Sequence, residues 1–158
     1  MPVEFEFLRP EDKPALLAFS NADLMSACEE VLSDLGYKVH DAVSHEDFLN
    51  KFRQVQYQVV LLEERFNAAS PEQNNSLRVL QHMPMHLRRH ATVFLVGESF
   101  QSLNAMQGFQ QSVHAVLHPK ELVLILRQIV EKVVSENDAF LHAIREAQKR
   151  LSQGAVAQ

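Results

Sequence analysis

The sequence predicts an α/β domain in which helices cover both faces of a five-stranded parallel sheet. Five short apolar runs alternate with segments of helical periodicity, a pattern typical of sheets built from strand–helix units. The third run, residues 59–62, is apolar at every position instead of alternating, as expected of a strand that is buried on both faces. The length of 158 residues is enough for one domain with a sizeable core.

Capping and turn residues separate the predicted elements. Ser20 and Asn21 follow the first strand as helix-capping residues, and Gly36 ends the first helix. Ser44 opens the second helix and Pro84 interrupts the third. The predicted strands are residues 15–19, 37–43, 59–62, 92–96 and 113–117. The predicted helices are approximately residues 23–35, 45–52, 77–83, 103–109 and 120–151. Such short strands and regular helices favour the flavodoxin-like doubly wound order over a barrel.

Composition and charge exclude several classes of function. The formal net charge of -5, with no dense lysine or arginine cluster, argues against general nucleic-acid binding. The single cysteine, Cys28, excludes a disulfide framework and a cysteine-based zinc site. No apolar run approaches the roughly 20 residues of a membrane span, and the N-terminus lacks the features of a signal peptide. A cytoplasmic setting without a membrane partner is therefore expected.

Motifs for catalysis and metal binding are weak in this chain. With four glycines, it has no glycine-rich phosphate loop, no dinucleotide fingerprint and no HExxH motif. His82, His86 and His90 recur every four residues, a spacing that on an unbroken helix would suit zinc or nickel. Pro84 interrupts that stretch, and no neighbouring acidic residue or cysteine completes a ligand set. The prediction is no metal, no cofactor and no enzymatic activity.

The segment Tyr57-Gln58-Val59-Val60-Leu61-Leu62-Glu63 resembles the central strand of bacterial response-regulator receiver domains. The resemblance covers about residues 14–134 and rests on the pattern and order of the elements. In that family the strand ends on an aspartate that accepts a phosphoryl group from a histidine kinase. Acidic residues after the first strand hold magnesium, a threonine or serine follows the fourth strand, and a lysine before a proline follows the fifth. The resemblance implies the receiver fold and a place in two-component signalling.

Every catalytic position departs from the family pattern. Matched strand by strand, the degenerate positions are Ser20, Asn21, Glu63, Gly97 and His118. The aromatic switch position becomes Ala115, and Pro119 is retained after a bond that is cis in many receivers. We therefore expect a pseudo-receiver that neither binds magnesium nor accepts a phosphoryl group. Two hypotheses remain for Glu63: it lies in solvent or pairs with His118, or it mimics the phosphorylated state and locks the domain on.

The last predicted helix is longer than a receiver domain needs to close its sheet. Alternating spacings of three and four residues define a heptad seam. Its members are Val123, Leu126, Val130, Val133, Asn137, Phe140, Ile144, Ala147 and Leu151. The lone Asn137 at an a position favours a two-stranded register and hence a homodimer. The alternative is a second helix, capped by Ser135, that folds back. Leu141 and Ala143 at outer positions make the flanking charges poorly complementary, so a bundle or a fold-back stays open.

The expected organisation is a pseudo-receiver domain at residues 14–134 and a C-terminal helical extension and tail at residues 135–158. We expect a non-catalytic signalling domain that acts by protein–protein contact and self-associates. The predicted contact residues are Phe109, Val113, Asn137, Phe140, Ile144 and Leu151. The alternative function is a small-ligand sensor. Its pocket would be lined by Ser20, Glu63, Gly97 and His118. Residues 4–12 and 154–158 resemble the edges of a domain excised from a longer bacterial signalling chain.

Overall fold

The computed structural model describes residue 9 and residues 11–156 of the chain. Within that part, five parallel strands form one sheet in the order β2-β1-β3-β4-β5. The strands are β1 Lys13–Ala18, β2 Tyr37–Asp41, β3 Val59–Glu63, β4 Thr92–Val96 and β5 Ala115–Leu117. This order confirms the predicted flavodoxin-like doubly wound architecture. Most of residues 4–12 lie outside the described part, so the structure does not bear on the domain edge expected there.

Six α-helices lie in the described part of the chain. They are α1 Ala22–Asp34, α2 His45–Gln54, α3 Asn75–His82, α4 Met85–Arg88, α5 Ala105–Gln111 and α6 Pro119–Val156. Four of them begin at a side chain that accepts a backbone N–H from the first turn. These N-cap residues are Asn21, Ser44, Asn74 and Asn104. Pro84 separates α3 from α4, which confirms the predicted interruption.

Two apolar clusters cover the two faces of the sheet. On one face, Cys28 of α1 and Leu126 of α6 pack on strand residues that include Leu61. On the other face, Phe48 of α2 and Leu80 of α3 pack on strand residues of the opposite parity. Because successive side chains of a strand point to opposite faces, a strand that is covered on both sides is apolar throughout. All four residues of the 59–62 run are accordingly buried.

Helix α6 is a single continuous helix of 38 residues. At 1.5 Å per residue it spans about 57 Å, several times the length of the strands. It begins after β5 at the carboxyl edge of the sheet, and Asn137 contacts His114 and Arg89, which precede β5 and β4. The residues beyond Asn137 therefore continue past the amino edge of the sheet. The helix passes through Ser135 without a break, so the hypothesis of a second helix that folds back is wrong.

The seam predicted on α6 is divided between two environments. Leu126 and Val130 are fully buried in the domain's own core, whereas Val123, in the first turns of the helix, is 51% exposed. The first half of the seam is therefore used to cover the sheet, and Phe140 and Leu151 in the second half remain exposed. Among the described residues, none of the helices combines the length and the apolar character needed to cross a bilayer.

Candidate functional site

The predicted site residues meet at the carboxyl edge of the sheet, where parallel strands place their ligand sites. Ser20 and Asn21 follow β1, Glu63 ends β3 and Gly97 follows β4. A cleft of about 340 Å³ opens between these strand ends. Its lining comprises Ser20, Asn21, Leu24, Glu63, Glu64, Arg65, Val96, Gly97, Glu98, Ser99 and Pro119. Four of the predicted site residues, Ser20, Asn21, Glu63 and Gly97, therefore line one cleft.

The carboxylate of Glu63 is held by the loop that follows β1. Its Oε1 atom accepts a hydrogen bond from the backbone N–H of Ser20 at 2.9 Å. The hydroxyl of Ser20 in turn accepts the backbone N–H of Asn67 at 2.8 Å. Glu63 therefore ties the end of β3 to the β1–α1 loop. This contact differs from the expected alternatives of a solvated carboxylate or an ion pair with His118.

The side chain of Glu64 occupies the space above Gly97. A Cβ atom built on Gly97 would lie 2.9 Å from the Cβ, Cδ and Oε1 atoms of Glu64. The hydroxyl of Ser99 donates a 2.6 Å hydrogen bond to Oε2 of Glu64, and the residue is only 7% exposed. Asn74 fixes the backbone beneath it by donating to the carbonyls of Glu63 and Glu64. At the position where the receiver pattern has a hydroxyl, this chain therefore has a glycine covered by a carboxylate.

The sequence did not reveal that Glu64 and Ser99 form a hydrogen-bonded pair at this site. They lie 35 positions apart, and only the β3–β4 pairing of Glu63 with Val96 brings them together. A pattern search has no direct signal for such a contact. The combination of two consecutive glutamates after one strand and a glycine after its neighbour is the clue that the sequence offers in retrospect.

His118 does not line the cleft, in contrast to the expectation for a ligand pocket. Its backbone N–H donates to the hydroxyl of Ser102 at 2.8 Å, and its Nδ1 atom accepts the N–H of Lys120 at 3.1 Å. The imidazole therefore caps the first turn of α6, and Pro119 takes its place in the cleft. No cis peptide bond occurs among the described residues, so the bond before Pro119 is trans. Pro119 is the first residue of α6, a position that suits proline because its missing N–H has no partner there anyway.

The residues present do not fit the magnesium site of the receiver pattern. Magnesium requires oxygen ligands with carboxylate charge, whereas Ser20 and Asn21 stand at the acidic positions and Glu64 is engaged with Ser99. Within the described part of the chain, no three His, Cys, Asp or Glu side chains are grouped closely enough to hold a metal ion. His82, His86 and His90 line one groove beside Phe52, but they form no such group.

Two apolar surfaces lie away from the cleft. The first, which we call the α5 surface, consists of Leu103, Met106 and Phe109, and Phe109 is 81% exposed. Val113 was predicted to belong to this surface, but it packs partly against the core beneath α5. Its backbone N–H donates to the carbonyl of Gly108 at the end of α5, so β5 begins only at Ala115, two residues later than predicted.

The second surface, which we call the α6 groove, lies at the opposite edge of the sheet. It is a cavity of about 460 Å³ between α4, His114 and the second half of α6. Its walls include Met85, Arg89, His114, Val133, Glu136, Asn137, Phe140, Leu141 and Ile144. Asn137 closes one end, since its Oδ1 atom lies 3.2 Å from Nε2 of His114 and its amide donates to the carbonyl of Arg89 at 3.3 Å.

His114 is held as a neutral imidazole at this groove. Its Nδ1 atom accepts the backbone N–H of Val93 at 3.0 Å, so the hydrogen is on Nε2 and is donated to Asn137. Burial lowers the pKa of His114 below its ordinary value, the bond to Asn137 opposes that shift, and the charge of Arg88 adds to it. The hydrogen bond from Val93 therefore depends on the neutral form, whereas the bond from Nε2 to Asn137 does not.

Comparisons with known proteins bear on the fold. No protein-family model and no curated protein matches the chain. The signal receiver domain of a LuxO repressor protein from Vibrio parahaemolyticus matches with a TM-score of 0.65 and 14% identity, covering 84% of this chain and 97% of that one. The receiver domain of a sensor histidine kinase from Pseudomonas aeruginosa, solved with magnesium in its active-site cleft, matches with a TM-score of 0.57 and 18% identity, covering 78% and 98%.

A third match is a fusion that contains a trimeric coiled coil of yeast Spc42, with a TM-score of 0.64 and 15% identity over 92% of each chain. Identities this low relate the folds and carry no activity from one protein to another. The chain has the fold of CheY-like response-regulator receiver domains.

Proposed function

We propose that this chain is a non-catalytic, receiver-like signalling domain that acts by protein–protein contact. The observation that carries the proposal is the engagement of both glutamates at the carboxyl edge of the sheet. Glu64 covers Gly97 and bonds to Ser99, and the Glu63 carboxylate is bound by the backbone of Ser20. Phosphoryl transfer at this edge would need an exposed aspartate and a bound magnesium ion beside it. These side chains supply neither.

The two apolar surfaces support a role in binding other proteins. Soluble domains seldom expose several large apolar side chains side by side unless these form a contact. The α5 surface presents Met106 and Phe109, and the α6 groove presents Met85 and Phe140, all of them more than half exposed. We propose that α6 mediates association between copies of the chain, and that the α5 surface contacts a separate signalling partner.

A small-ligand sensor is the second candidate, and the cleft at the carboxyl edge favours it. Its volume of about 340 Å³ falls within the range of small-molecule sites. Three glutamates and one arginine, Arg65, line it, which would suit a ligand with a cationic group. Such a ligand would bind without being transformed, because the proposed domain has no catalytic constellation.

One pair of measurements distinguishes the two candidates. Light scattering gives the molar mass of the full chain over a dilution series, and thermal unfolding is followed with a panel of amines and nucleotides. A mass that rises with concentration, with no ligand raising the melting temperature, supports the contact domain. A ligand that raises the melting temperature while the mass stays fixed supports the sensor and contradicts the contact domain. The Arg65→Gln variant serves as a control, because it changes the cleft and leaves both apolar surfaces intact.

A further inference from the structure

The second half of α6 exposes large apolar side chains along one side, beside the α6 groove. Phe140 is 63% exposed and Leu151, further along the same side of the helix, is 75% exposed. We propose that a second copy of this chain fills the groove, and that the two α6 helices pair in antiparallel orientation about His142. This inference rests on the proposed self-association and adds its surface, its direction and its register.

The body of the domain leaves only one side of the extension available. Leu141 faces Arg89 and His90 across a small cavity, so this flank of α6 lies against the body. On the other flank, Glu136, Phe140 and Ala143 are exposed. A second helix can therefore approach along the side that carries Glu136 and Ala143. The small side chain of Ala143 allows the two backbones to come close there.

The seam residues match one another when the second helix runs in the opposite direction. From Val133 to Leu151 the spacings are four, three, four, three and four residues, so a two-fold axis at His142 maps the seam onto itself. Phe140 then meets Ile144 of the second copy, Val133 meets Leu151, and Asn137 meets the small Ala147. A heptad pattern alone permits either direction, so the flanking charges and Asn137 must decide between them.

The charges of the extension are separated along its length. Most acidic residues precede His142 and most basic residues follow it, in the order Glu131, Glu136, Asp138 and then Arg145, Lys149, Arg150, with Lys132 and Glu146 as the exceptions. Antiparallel pairing brings the acidic half of one helix beside the basic half of the other. On the open flank it places Glu136 opposite Arg150 of the second copy, and symmetry produces this pair twice. In the single chain, Glu136 forms an exposed ion pair with Lys132 at 4.0 Å, which is worth little.

A parallel pair would lose these matches. Glu136 would face Leu141 of the second copy, and neither charge pair would form. Asn137 would face its own counterpart across the seam instead of the small Ala147. The heptads suggested that Asn137 fixes the register of a two-stranded dimer, whereas its contacts anchor α6 to the body of the same chain.

Charge reversal tests the proposed pairing. Glu136→Arg and Arg150→Glu, each alone, should raise the dissociation constant of the dimer roughly tenfold, because like charges replace two attractive pairs. The double variant Glu136→Arg/Arg150→Glu should restore it to near the original value. Within one chain the two residues are about 21 Å apart along the helix, so rescue can only come from the second copy. The matched control is the double variant Glu136→Arg/Lys149→Glu. Because residue 149 lies off this flank, its reversed charge should not restore the dissociation constant.

Cross-linking reports the direction independently. A short bismaleimide should join two copies through Ala143→Cys, which lies at the two-fold axis. It should not join them through Gln153→Cys, because antiparallel helices separate these positions by about 33 Å. The native Cys28 does not interfere, since it is fully buried. Light scattering and circular dichroism on each variant establish that it is folded and at what concentration it associates.

The possible outcomes separate this inference from the proposed function. Rescue by the double reversal, with cross-linking at Ala143→Cys only, supports the antiparallel pair. A dimer without rescue, or one that cross-links at Gln153→Cys, overturns the inference but leaves self-association standing. A chain that is monomeric at every concentration refutes the self-association and the inference together.

Discussion

Gly97→Ala is the substitution that most directly tests the packing of the Glu64 side chain against Gly97 at the carboxyl edge of the sheet. The new Cβ would lie 2.9 Å from three atoms of Glu64, a distance that real contacts essentially never show. The Glu64 side chain would have to move, which breaks its 2.6 Å hydrogen bond with Ser99. Overpacking costs about 1–3 kcal/mol, and loss of a hydrogen bond to a charged group about 1.5–3 kcal/mol, of which water recovers a part. We expect a destabilisation of about 2 kcal/mol and a melting temperature lower by about 4–8 °C.

The assay is urea unfolding of Gly97→Ala, Glu64→Ala and the double variant. Glu64→Ala removes two of the three crowded atoms, so the double variant should cost less than the sum of the single ones by about 0.5–3 kcal/mol. Gly108→Ala is the matched control, because its Cβ would meet nothing closer than 3.6 Å. It should be neutral or slightly stabilising. Strict additivity of the two single variants, or a Gly97→Ala protein as stable as the Gly108→Ala one, would refute the reasoning.

Three further predictions concern the body of the domain. Stability should fall as the pH drops from about 6.5, because burial lowers the pKa of His114 and the unfolded chain then binds the proton more readily than the folded one. His114→Asn keeps an acceptor for Val93 and should flatten this slope in urea titrations at several pH values. The partly buried His90, whose pKa is also lowered, should preserve part of the slope. An unchanged slope would contradict the assignment. Arg88→Met should lower the free energy of unfolding by about 2 kcal/mol, because two carbonyls at the ends of α3 and α5 lose their charged donor. Arg89→Met should be nearly neutral, and equal effects of the two substitutions would contradict this role of Arg88. The thiol of Cys28, whose pKa burial raises to about 12, should react with a disulfide reagent only at the rate of unfolding, and fast labelling in native buffer would disprove its burial.

The fold was predictable because its signals are local. Residues 92–96 form β4 with the predicted bounds, and residues 59–62 form all of β3 except Glu63, since continuous apolar runs between turn residues have few alternatives. The start of β5 was misplaced because Val113 is apolar but belongs to the C-terminal cap of α5. Its partner there is a backbone carbonyl, which no side-chain pattern reveals.

The site was predictable in position and not in detail. The order of the strands alone brings Ser20, Glu63 and Gly97 to one edge, so their proximity follows from the topology. The hydrogen bond of Glu63 and the position of Glu64 depend on side-chain rotamers and on contacts across the sheet. The heptad seam correctly predicted a long helix. It could not show that Asn137 is bound by His114, because that contact also depends on the tertiary structure.

The central claim is that this receiver fold signals by contact and not by phosphorylation. The most direct test is to incubate the full chain with acetyl phosphate and magnesium, and then to measure its intact mass and its light-scattering mass across concentration. We predict no phosphoryl adduct and the same association behaviour with and without the two additions, since Glu63 is bound by Ser20 and Glu64 covers Gly97. A stoichiometric phosphoryl adduct, or an oligomeric mass that changes when acetyl phosphate and magnesium are added, would contradict the claim.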